Sequence, residues 1–485
     1  MEDIIRESIR HFFGQLHDKA SDKLVNQFIE TNLNSMWDRF IQDRATTVRK
    51  AVEALDLFLP NASKGKFYQT TITFEVDNVT DFWLEGLEET GLSVVVNPEA
   101  KTIDISGTPQ TAGTFELKLR YLFDGCPRSD VPFRKLPFII NANPRDLWKD
   151  LPVPEGIDYP KEDTQKEYVT VLALADGTPQ KDMVAASKRG RSHAHEGRPR
   201  DDHFRLYYSE DTQWYVIAVA DGAGSAKFSR EGSRIACEVA VDWCRQKLDD
   251  CAEFESHIES YHQTLQKVED LAKQENIDII EKTSCETDEE EARKVMGQDI
   301  YRIVGTAAFK AQKAIFDEAA RAGNRNKDYG TTLLLTISKR FSYGWFVASF
   351  WVGDGAICLY DRARHTAKLM GQPDEGEYGG QTRFLTMSDI FVDAAAIMKR
   401  LRFCIVPDFT ALLLMSDGVS DPWFETDANL ENVEMWDRLW DNLENNAEHP
   451  VSLTDDNPEA ASQLLDWLDF WSPGNHDDRT IAILY

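Results

Sequence analysis

Residues 214–224 read WYVIAVADGAG, an apolar run that ends in Asp221 and Gly222. A run this apolar predicts a strand that is buried on both faces. Asp221 then lies at the edge of a core, where an unpaired charge costs several kcal/mol. A glycine directly after it lets the chain turn sharply and lets the backbone come close to a ligand. The stretch therefore predicts a strand that delivers a carboxylate to a site.

Three more aspartates occupy similar positions further along the chain. Asp354 follows FVASFWVG, Asp417 follows ALLLMS, and Asp477 shortly precedes the last apolar run, IAILY. Any one of the four alone is most simply a turn or helix-cap residue. Together they indicate carboxylates that converge on hard divalent ions, which prefer oxygen ligands. We therefore expect two ions of Mn²⁺ or Mg²⁺, which can orient a shared water for in-line attack on phosphorus.

The composition restricts the class of protein. The chain has 485 residues, 42% of them hydrophobic, which predicts a globular protein of two or three domains. Its net charge of -29 argues against nucleic acid and anionic membrane surfaces as partners. The seven scattered cysteines disfavour a disulfide framework and a zinc site. With neither a signal peptide nor a long apolar run, we expect a cytoplasmic protein.

The N-terminal part has two textures. Residues 1–60 show apolar positions at helical spacing, and residues 65–142 show short alternating runs separated by turn signals. The second pattern predicts a small β-sandwich. Its stretch ISGTPQTAGTFELKLRYLF, residues 105–123, resembles the closing hairpin of bacterial immunoglobulin-like repeats. Such modules hold partners or space domains, so we expect the N-terminal domains to bind a protein.

The rest of the chain reads as a linker and one large domain. Residues 143–165 are rich in proline and charge, which is typical of a linker. Residues 166–485 form the large domain, with a helical insertion at about 252–325 whose acidic cluster, Glu286 to Glu291, is most simply a solvated face. Four tryptophans near the C-terminus are expected to pack in the core: Trp436, Trp440, Trp467 and Trp471.

An ordered set of short motifs in the large domain resembles the metal-dependent protein phosphatases of the 2C type. The motifs are DGAG at 221–224, GTT at 330–332, VGDG at 352–355, MSDGVSD at 415–421 and DDRT at 477–480. The resemblance implies an α+β fold, a four-layer α/β/β/α sandwich, preceded by the helical segment and the β-sandwich. It also implies a phosphatase that hydrolyses phosphoserine or phosphothreonine with a dimetal-activated water. Its partner would be a phosphorylated protein, such as a serine/threonine kinase or the target of one.

The resemblance also implies a role for each acidic residue. Asp221 would bridge two metal ions, and the carbonyl of Gly222 would help to hold one of them. Asp417 and Asp477 would complete the other. Asp354 would hold a third, weaker ion together with Asp417.

The segment upstream of DGAG supplies the remaining candidates. The pattern GRSH followed by GRPRDD, within residues 190–202, looks like a bacterial branch of the family and makes Asp202 a metal-site residue ahead of its neighbour Asp201. Many eukaryotic members carry a proton-donating histidine where this chain has Ala223, so His193 becomes the candidate acid. Arg191 is the candidate phosphate-binding residue, because guanidinium binds phosphate bidentately. Structural or solvated roles stay open for these side chains, and the alternatives to them are His195, His203, Arg189, Arg198 and Arg200.

Two other functions remain compatible with these motifs. A pseudophosphatase would use the same fold to bind or scaffold phosphoproteins, and the retention of Asp221, Asp417 and Asp477 argues against it. A two-metal nuclease or phosphodiesterase would use the same ions, and the strongly acidic chain argues against that function.

Overall fold

The computed structural model describes residues 22–124, 126, 128–155, 164–172, 180–273, 279–374 and 382–485, together with 7, 8 and 11. The chain divides into two compact units, Met1–Leu147 and Trp148–Tyr485. The helical positions predicted before residue 22, apart from those three residues, lie outside the described residues. So do residues 156–163 of the predicted linker.

The first unit joins one long helix to two small sheets. The helix is α1, Asp22–Ala54. The strands are β1 Ala62–Ser63, β2 Tyr68–Thr73, β3 Val79–Glu85, β4 Leu92–Asn97, β5 Thr102–Gly107, β6 Gly113–Phe123 and β7 Phe133–Asn141. They pair in the orders β1-β7-β6-β3 and β2-β5-β4.

The core of the first unit follows from alternation along the strands. In β6, the side chains of Leu117, Leu119 and Tyr121 are buried, and the residues between them are less buried. This is the period of two that a strand with one covered face requires. Helix α1 adds Val48 and Val52 to the same hydrophobic cluster. The predicted β-sandwich is thus two sheets around one core, and its likeness to immunoglobulin-like repeats stays a prediction.

The second unit contains two larger antiparallel sheets. Their strands are β8 Gln165–Thr170, β9 Met183–Lys188, β10 His203–Tyr208, β11 Tyr215–Ala220, β12 Leu333–Phe341, β13 Gly344–Val352, β14 Ala356–Asp361, β15 Thr366–Gly371, β16 Leu401–Val406, β17 Ala411–Met415 and β18 Arg479–Leu484. One sheet has the order β10-β11-β12-β13-β16 and the other has the order β15-β14-β17-β18-β9-β8.

The second unit also contains α-helices. They are α2 Arg191–Glu196, α3 Ser229–Leu248, α4 Ala252–Ala272, α5 Ile279–Ile300, α6 Thr306–Ala322, α7 Ala394–Met398, α8 Asp417–Phe424, α9 Val433–Asn445 and α10 Ala460–Trp467. A π-helical turn, Tyr301–Gly305, joins α5 to α6. Across the described residues, every helix is too short or too polar to span a bilayer.

Strand β11 shows why its sequence is apolar throughout. Val216 and Ala218 pack in the cluster with helices α3 to α6, whereas Ile217 and Val219 pack in the cluster between the two sheets. Helices α9 and α10 pack on the outer face of the other sheet. The resulting order is helices, sheet, sheet, helices, which confirms the predicted α+β four-layer fold.

The segment predicted as a helical insertion, about 252–325, contributes to the outer helical layer. Side chains from α4, α5 and α6 lie in the same cluster as β11, among them Ile258, Met296 and Ala308. The acidic cluster Glu286 to Glu291 lies on α5, and all of its residues except the half-buried Glu289 are exposed. That exposure agrees with a solvated face.

Candidate metal centre

Three of the predicted carboxylates meet at one end of the two sheets. Asp221 follows β11, Asp354 lies between β13 and β14, and Asp417 follows β17 as the first residue of α8. Each offers a carboxylate oxygen, and these three oxygens all lie within 4.8 Å of one another. Because β11 and β13 belong to one sheet and β17 to the other, the cluster forms only when the sheets pack together.

Glycine beside two of these aspartates allows neighbouring loops to come close. A Cβ atom on Gly222 would lie 2.6 Å from the carbonyl oxygen of Asp201. A Cβ atom on Gly418 would lie 1.9 Å from the carbonyl oxygen of Asp478. Both distances are too short for a real contact, so these two positions exclude a side chain. The glycines thereby bring Asp202 and Asp477 next to the cluster.

The backbone of Asp221 is fixed by the GTT motif at the start of β12. The Asp221 amide donates to Oγ1 of Thr332 at 2.8 Å, and the Thr332 amide donates to the Asp221 carbonyl at 2.8 Å. Oγ1 of Thr331 donates to the same carbonyl at 2.9 Å. These bonds hold the residue without using its carboxylate, which stays available to a ligand.

Several oxygens of the cluster are buried and have no donor among the described residues. Oδ2 of Asp202 accepts from Oγ of Ser416 at 2.9 Å and from Oγ1 of Thr480 at 2.6 Å, but Oδ1 has no partner. Oδ2 of Asp354 accepts from Thr382, and its Oδ1 has no partner in the part of the chain that the structure describes. Oδ1 of Asp417 has none either. Buried acceptors without donors are costly unless a ligand satisfies them.

The electrostatics also call for a cation. Burial, followed by the neighbouring carboxylates, raises the pKa values of Asp221 and Asp417 well above the usual range for aspartate. Burial and the charge of Asp478 raise the pKa of Asp202 to about 7. Within the described part of the chain, no lysine or arginine forms an ion pair with Asp221, Asp354 or Asp417. The unpaired oxygens and the clustered acids therefore fit divalent cations, which are held by such ligands.

The two aspartates of the DDRT motif have different surroundings. The Asp477 side chain is 47% exposed, and its charge acts on both Asp221 and Asp417. Asp478 is buried and accepts from the amides of Gly190 at 2.6 Å and Asp201 at 2.5 Å. Although burial opposes ionisation, His193 and these amides hold the pKa of Asp478 below its usual value. Asp478 is thus a structural anchor that the sequence analysis missed.

His193 faces the acidic site from helix α2. Its Nδ1 lies 3.0 Å from Oδ2 of Asp478, and its Nε2 lies 4.0 Å from Oδ1 of Asp477. Burial lowers the pKa of His193, but the charge and hydrogen bond of Asp478 outweigh burial and raise it to about 9. The imidazole is therefore a proton carrier beside the site. Its ring also forms a second group with metal-ligating potential, together with Asp477 and Asp478.

The two alternative histidines have other partners. Nδ1 of His195 accepts from the amide of Lys149 at 3.0 Å. His203 lies between Lys166 and Arg230, and burial together with these cations lowers its pKa well below the usual value. His203 is therefore neutral and turned towards cations, whereas His193 is turned towards aspartates.

The arginines of this segment are each engaged by other groups. Nη2 of Arg191 donates to both the carbonyl oxygen and Oδ1 of Asp469, each at 3.1 Å, and its guanidinium lies 5.5 Å from the ring of Trp471. Of the alternative arginines, Arg189 donates to Asp150, Arg198 donates to Asp201, and Arg200 donates to Ser187. A phosphate-binding role for Arg191 stays a prediction.

Trp471 departs from the expectation that it packs in the core. It is half-buried, and its ring lies 5.1 Å from the ring of His476, next to Asp477. The other three tryptophans, Trp436, Trp440 and Trp467, are buried in the cluster between the second sheet and its helices. Trp471 follows α10, and its ring lies between contacts with Arg191 and His476.

Comparison with known proteins gives one family match. A family model described as "Protein phosphatase 2C" matches residues 189–469, which is more than half of the chain. This range contains Asp202, Asp221, Asp354 and Asp417. No curated protein sequence matches the chain significantly.

Solved structures that resemble this chain have low identity to it. A C. elegans sex determining protein is 13% identical over 62% of this chain and 64% of its own, with a TM-score of 0.34. A serine-threonine phosphatase 2C from Toxoplasma gondii is 14% identical over 66% of this chain and 98% of its own, with a TM-score of 0.37. A serine/threonine phosphatase from Mycobacterium tuberculosis is 13% identical over 62% and 96%, with a TM-score of 0.31.

Proposed function

Because the family model matches more than half of its residues, the chain belongs to the protein phosphatase 2C family. We propose that it is a metal-dependent protein serine/threonine phosphatase. The observation that carries the proposal is the group of three carboxylate oxygens within 4.8 Å of one another, delivered by strands of both sheets. The substrate class is a phosphoprotein, with phosphoserine or phosphothreonine as the reacting group.

The acidic residues at the strand ends would hold the ions. We assign Asp221 to both of two ions, the carbonyl of Gly222 to one of them, and Asp417 and Asp477 to the other. Asp354, together with Asp417, would hold a third, weaker ion. Asp202 would help to hold the ions, directly or through a water. When bound, Mn²⁺ or Mg²⁺ supplies a Lewis acid that lowers the pKa of water and neutralises phosphate charge.

The side chains around the ions would position the substrate and move the proton. Arg191 would exchange its bond to Asp469 for phosphate oxygens, for which a guanidinium has the right geometry. His193 would protonate the departing serine or threonine oxygen from Nε2. That assignment is supported by its raised pKa and by Asp478, which holds Nδ1 and leaves Nε2 near the carboxylates of Asp201 and Asp477. An acid held in place in this way contributes typically about 10²–10⁴-fold to a rate.

Turnover of p-nitrophenyl phosphate tests the proposal. We expect hydrolysis that depends on Mn²⁺ and is lost in Asp221→Ala and in Asp417→Ala, whereas Asp288→Ala, at an exposed position on α5, keeps wild-type activity. A phosphorylated serine peptide is the second substrate. A wild-type protein that binds Mn²⁺ but turns over neither substrate would instead indicate a pseudophosphatase. If the protein cleaves DNA or bis-p-nitrophenyl phosphate faster than p-nitrophenyl phosphate, it is a nuclease or phosphodiesterase instead.

A further inference from the structure

The segment Trp148–Pro152, here called the strap, begins the second unit and lies along helix α2. The Leu151 amide donates to the carbonyl of Ala194 at 2.8 Å, and the Lys149 amide donates to Nδ1 of His195 at 3.0 Å. Both acceptors belong to α2. The strap thus makes backbone contacts to the helix that carries His193.

Arg189 ties the strap to the chain just before α2. Its Nη2 donates to Oδ1 of Asp150 at 2.5 Å and to the carbonyl of Leu151 at 3.1 Å. The Asp150 side chain is 86% exposed, whereas that of Arg189 is only 8% exposed. The ion pair therefore pins a surface segment to a buried cation, and it can break without unfolding the core.

Trp148 connects the strap to the turn before Asp477. Its ring centroid lies 4.3 Å from that of His476 and 5.5 Å from that of His195. The carbonyl of His476 in turn accepts from the amide of Ser192 at 3.0 Å and from its Oγ at 2.7 Å. Trp148 therefore touches both α2 and the turn that leads into the proposed metal ligand Asp477.

Helix α2 needs such external support. It spans only six residues, and Gly190, at its N-cap, offers no side-chain hydrogen bond. Helices this short are unstable on their own, because nucleation is costly and few bonds follow it. Asp478 holds α2 from the site, through Gly190 and His193. The strap holds it from the opposite end, at Ala194 and His195.

We propose that the strap is a positioning element: it holds α2, with His193, and the His476–Asp477 turn in the arrangement that the reaction requires. This inference rests on the proposed function, in which His193 is the proton donor and Asp477 is a metal ligand. Trp148 is a positioning residue and touches no reacting group. Since the strap follows directly on the last residue of the first unit, it is also the point at which the chain enters the phosphatase domain.

Full-length Trp148→Ala, Trp148→Phe and Leu151→Ala variants test the proposal. Leu151→Ala is the matched control, because its side chain is 41% exposed and the alanine keeps the backbone bond to Ala194. The first measurement is hydrogen exchange of the amides in residues 190–197, which needs no activity. The second is kcat and KM for p-nitrophenyl phosphate at saturating Mn²⁺.

We expect Trp148→Ala to accelerate exchange in α2 about tenfold and to lower kcat about tenfold with KM changed less than about twofold. Trp148→Phe keeps an aromatic ring over His476, so its exchange rate in α2 and its kcat should be close to those of wild type. Unchanged exchange in α2 of Trp148→Ala would overturn the inference. If that variant unfolds globally, Asp150→Ala decides instead: faster exchange confined to α2 supports the strap, and unchanged exchange overturns it. A wild-type protein without turnover would refute the proposed function alone, and exchange would still decide whether the strap holds α2.

Discussion

Nδ1 of His193 lies 3.0 Å from Oδ2 of Asp478, and this contact joins helix α2 to the start of the last strand, β18. The same carboxylate oxygen accepts the amide of Asp201 at 2.5 Å. One buried aspartate therefore fixes the position of the candidate acid, and it also fixes the loop that carries Asp202. Helix α2 and the nearby loop at Asp201 thus meet a segment more than 270 residues further along the chain at this carboxylate.

Asp478→Asn should lower the pKa of His193, because it removes the anion and hydrogen bond that offset burial most, and leaves only the carboxylates of Asp201 and Asp477, at 3.9 Å and 4.0 Å from Nε2. The wild-type pKa is about 9, compared with 6.5 for an unperturbed histidine. We expect NMR titration of the His193 ring to move by at least about one unit to lower pH. Because the folded-state pKa is raised, the stabilisation from this pair is complete below about pH 6.5 and is lost as pH rises through about 9.

The Asp478→Asn substitution should also shift the pH dependence of the phosphatase rate. If His193 acts as an acid, the rate falls as pH rises through its pKa, so the basic limb should shift to lower pH in Asp478→Asn. Ser192→Ala, on the same helix but outside the ion pair, is the control and should leave the titration in place. A His193 resonance that titrates alike in wild type and Asp478→Asn would remove Asp478 as the cause of the raised pKa.

Metal-free protein should lose stability as pH rises. The pKa of Asp202 is raised by burial from 3.8 to about 7, and burial and the neighbouring carboxylates raise the pKa values of Asp221 and Asp417 well above the usual range. A carboxyl with a raised folded-state pKa stabilises the fold below its unfolded pKa and loses that stabilisation as pH rises through the folded value. In chelator, we therefore expect Tm at pH 7.5 to be about 5 °C or more below Tm at pH 5.5.

Mn²⁺ should reverse this loss, because the ions bind the ionised carboxylates. The rise in Tm on adding Mn²⁺ should be small at pH 5 and large at pH 8. Asp417→Asn, which removes one charge from the cluster at nearly constant volume, should flatten both dependences. An equal gain in Tm at pH 5 and pH 8 would contradict a carboxylate site of this kind.

The glycines of DGAG should differ sharply in their tolerance of alanine. A Cβ on Gly222 meets the Asp201 carbonyl oxygen at 2.6 Å, whereas a Cβ on Gly224 meets nothing within 4 Å. We expect Gly222→Ala to destabilise the protein by about 2–4 kcal/mol and to weaken Mn²⁺ binding, because backbone must move next to Asp202. Gly224→Ala should be within about 0.5 kcal/mol of wild type. Denaturant unfolding and calorimetric Mn²⁺ titration measure the two effects, and equal behaviour of the two variants would contradict the close approach.

The four-layer fold was implied by the family resemblance, whereas the meeting of the strand ends was predictable from the sequence for one physical reason. Strands buried on both faces read as uninterrupted apolar runs, so β11, β13 and β17 and the aspartates after them stand out. The structure confirms that Asp221, Asp354 and Asp417 come together. Their role as metal ligands stays a prediction.

Features that depend on long-range contacts were not predictable in this way. Helix α2 is six residues long and shows no helical period, and its supports come from residues 148–151 and 476–478. Asp477 and Asp478 are adjacent and chemically alike, so only packing decides which one faces the cluster and which one binds His193. The bond of Arg191 to Asp469, across 278 positions, also leaves no local sequence signal.

Arg191 provides the last test, because its bond to Asp469 competes with phosphate. Arg191→Ala should raise KM for p-nitrophenyl phosphate about tenfold and weaken binding of inorganic phosphate to the Mn²⁺-loaded protein by a similar factor, since a bidentate charged contact is lost. Arg191→Lys should restore only part of either, because an ammonium ion cannot form two parallel bonds. Asp469→Asn should act in the opposite direction and tighten phosphate binding by freeing the guanidinium. Arg438→Ala, at an exposed position on α9, is the charge-matched control. Equal affinity of Arg191→Ala and wild type for phosphate in calorimetry would contradict this role and indicate that another arginine of the segment binds the substrate. Arg198, which donates to Asp201, is then the next residue to substitute.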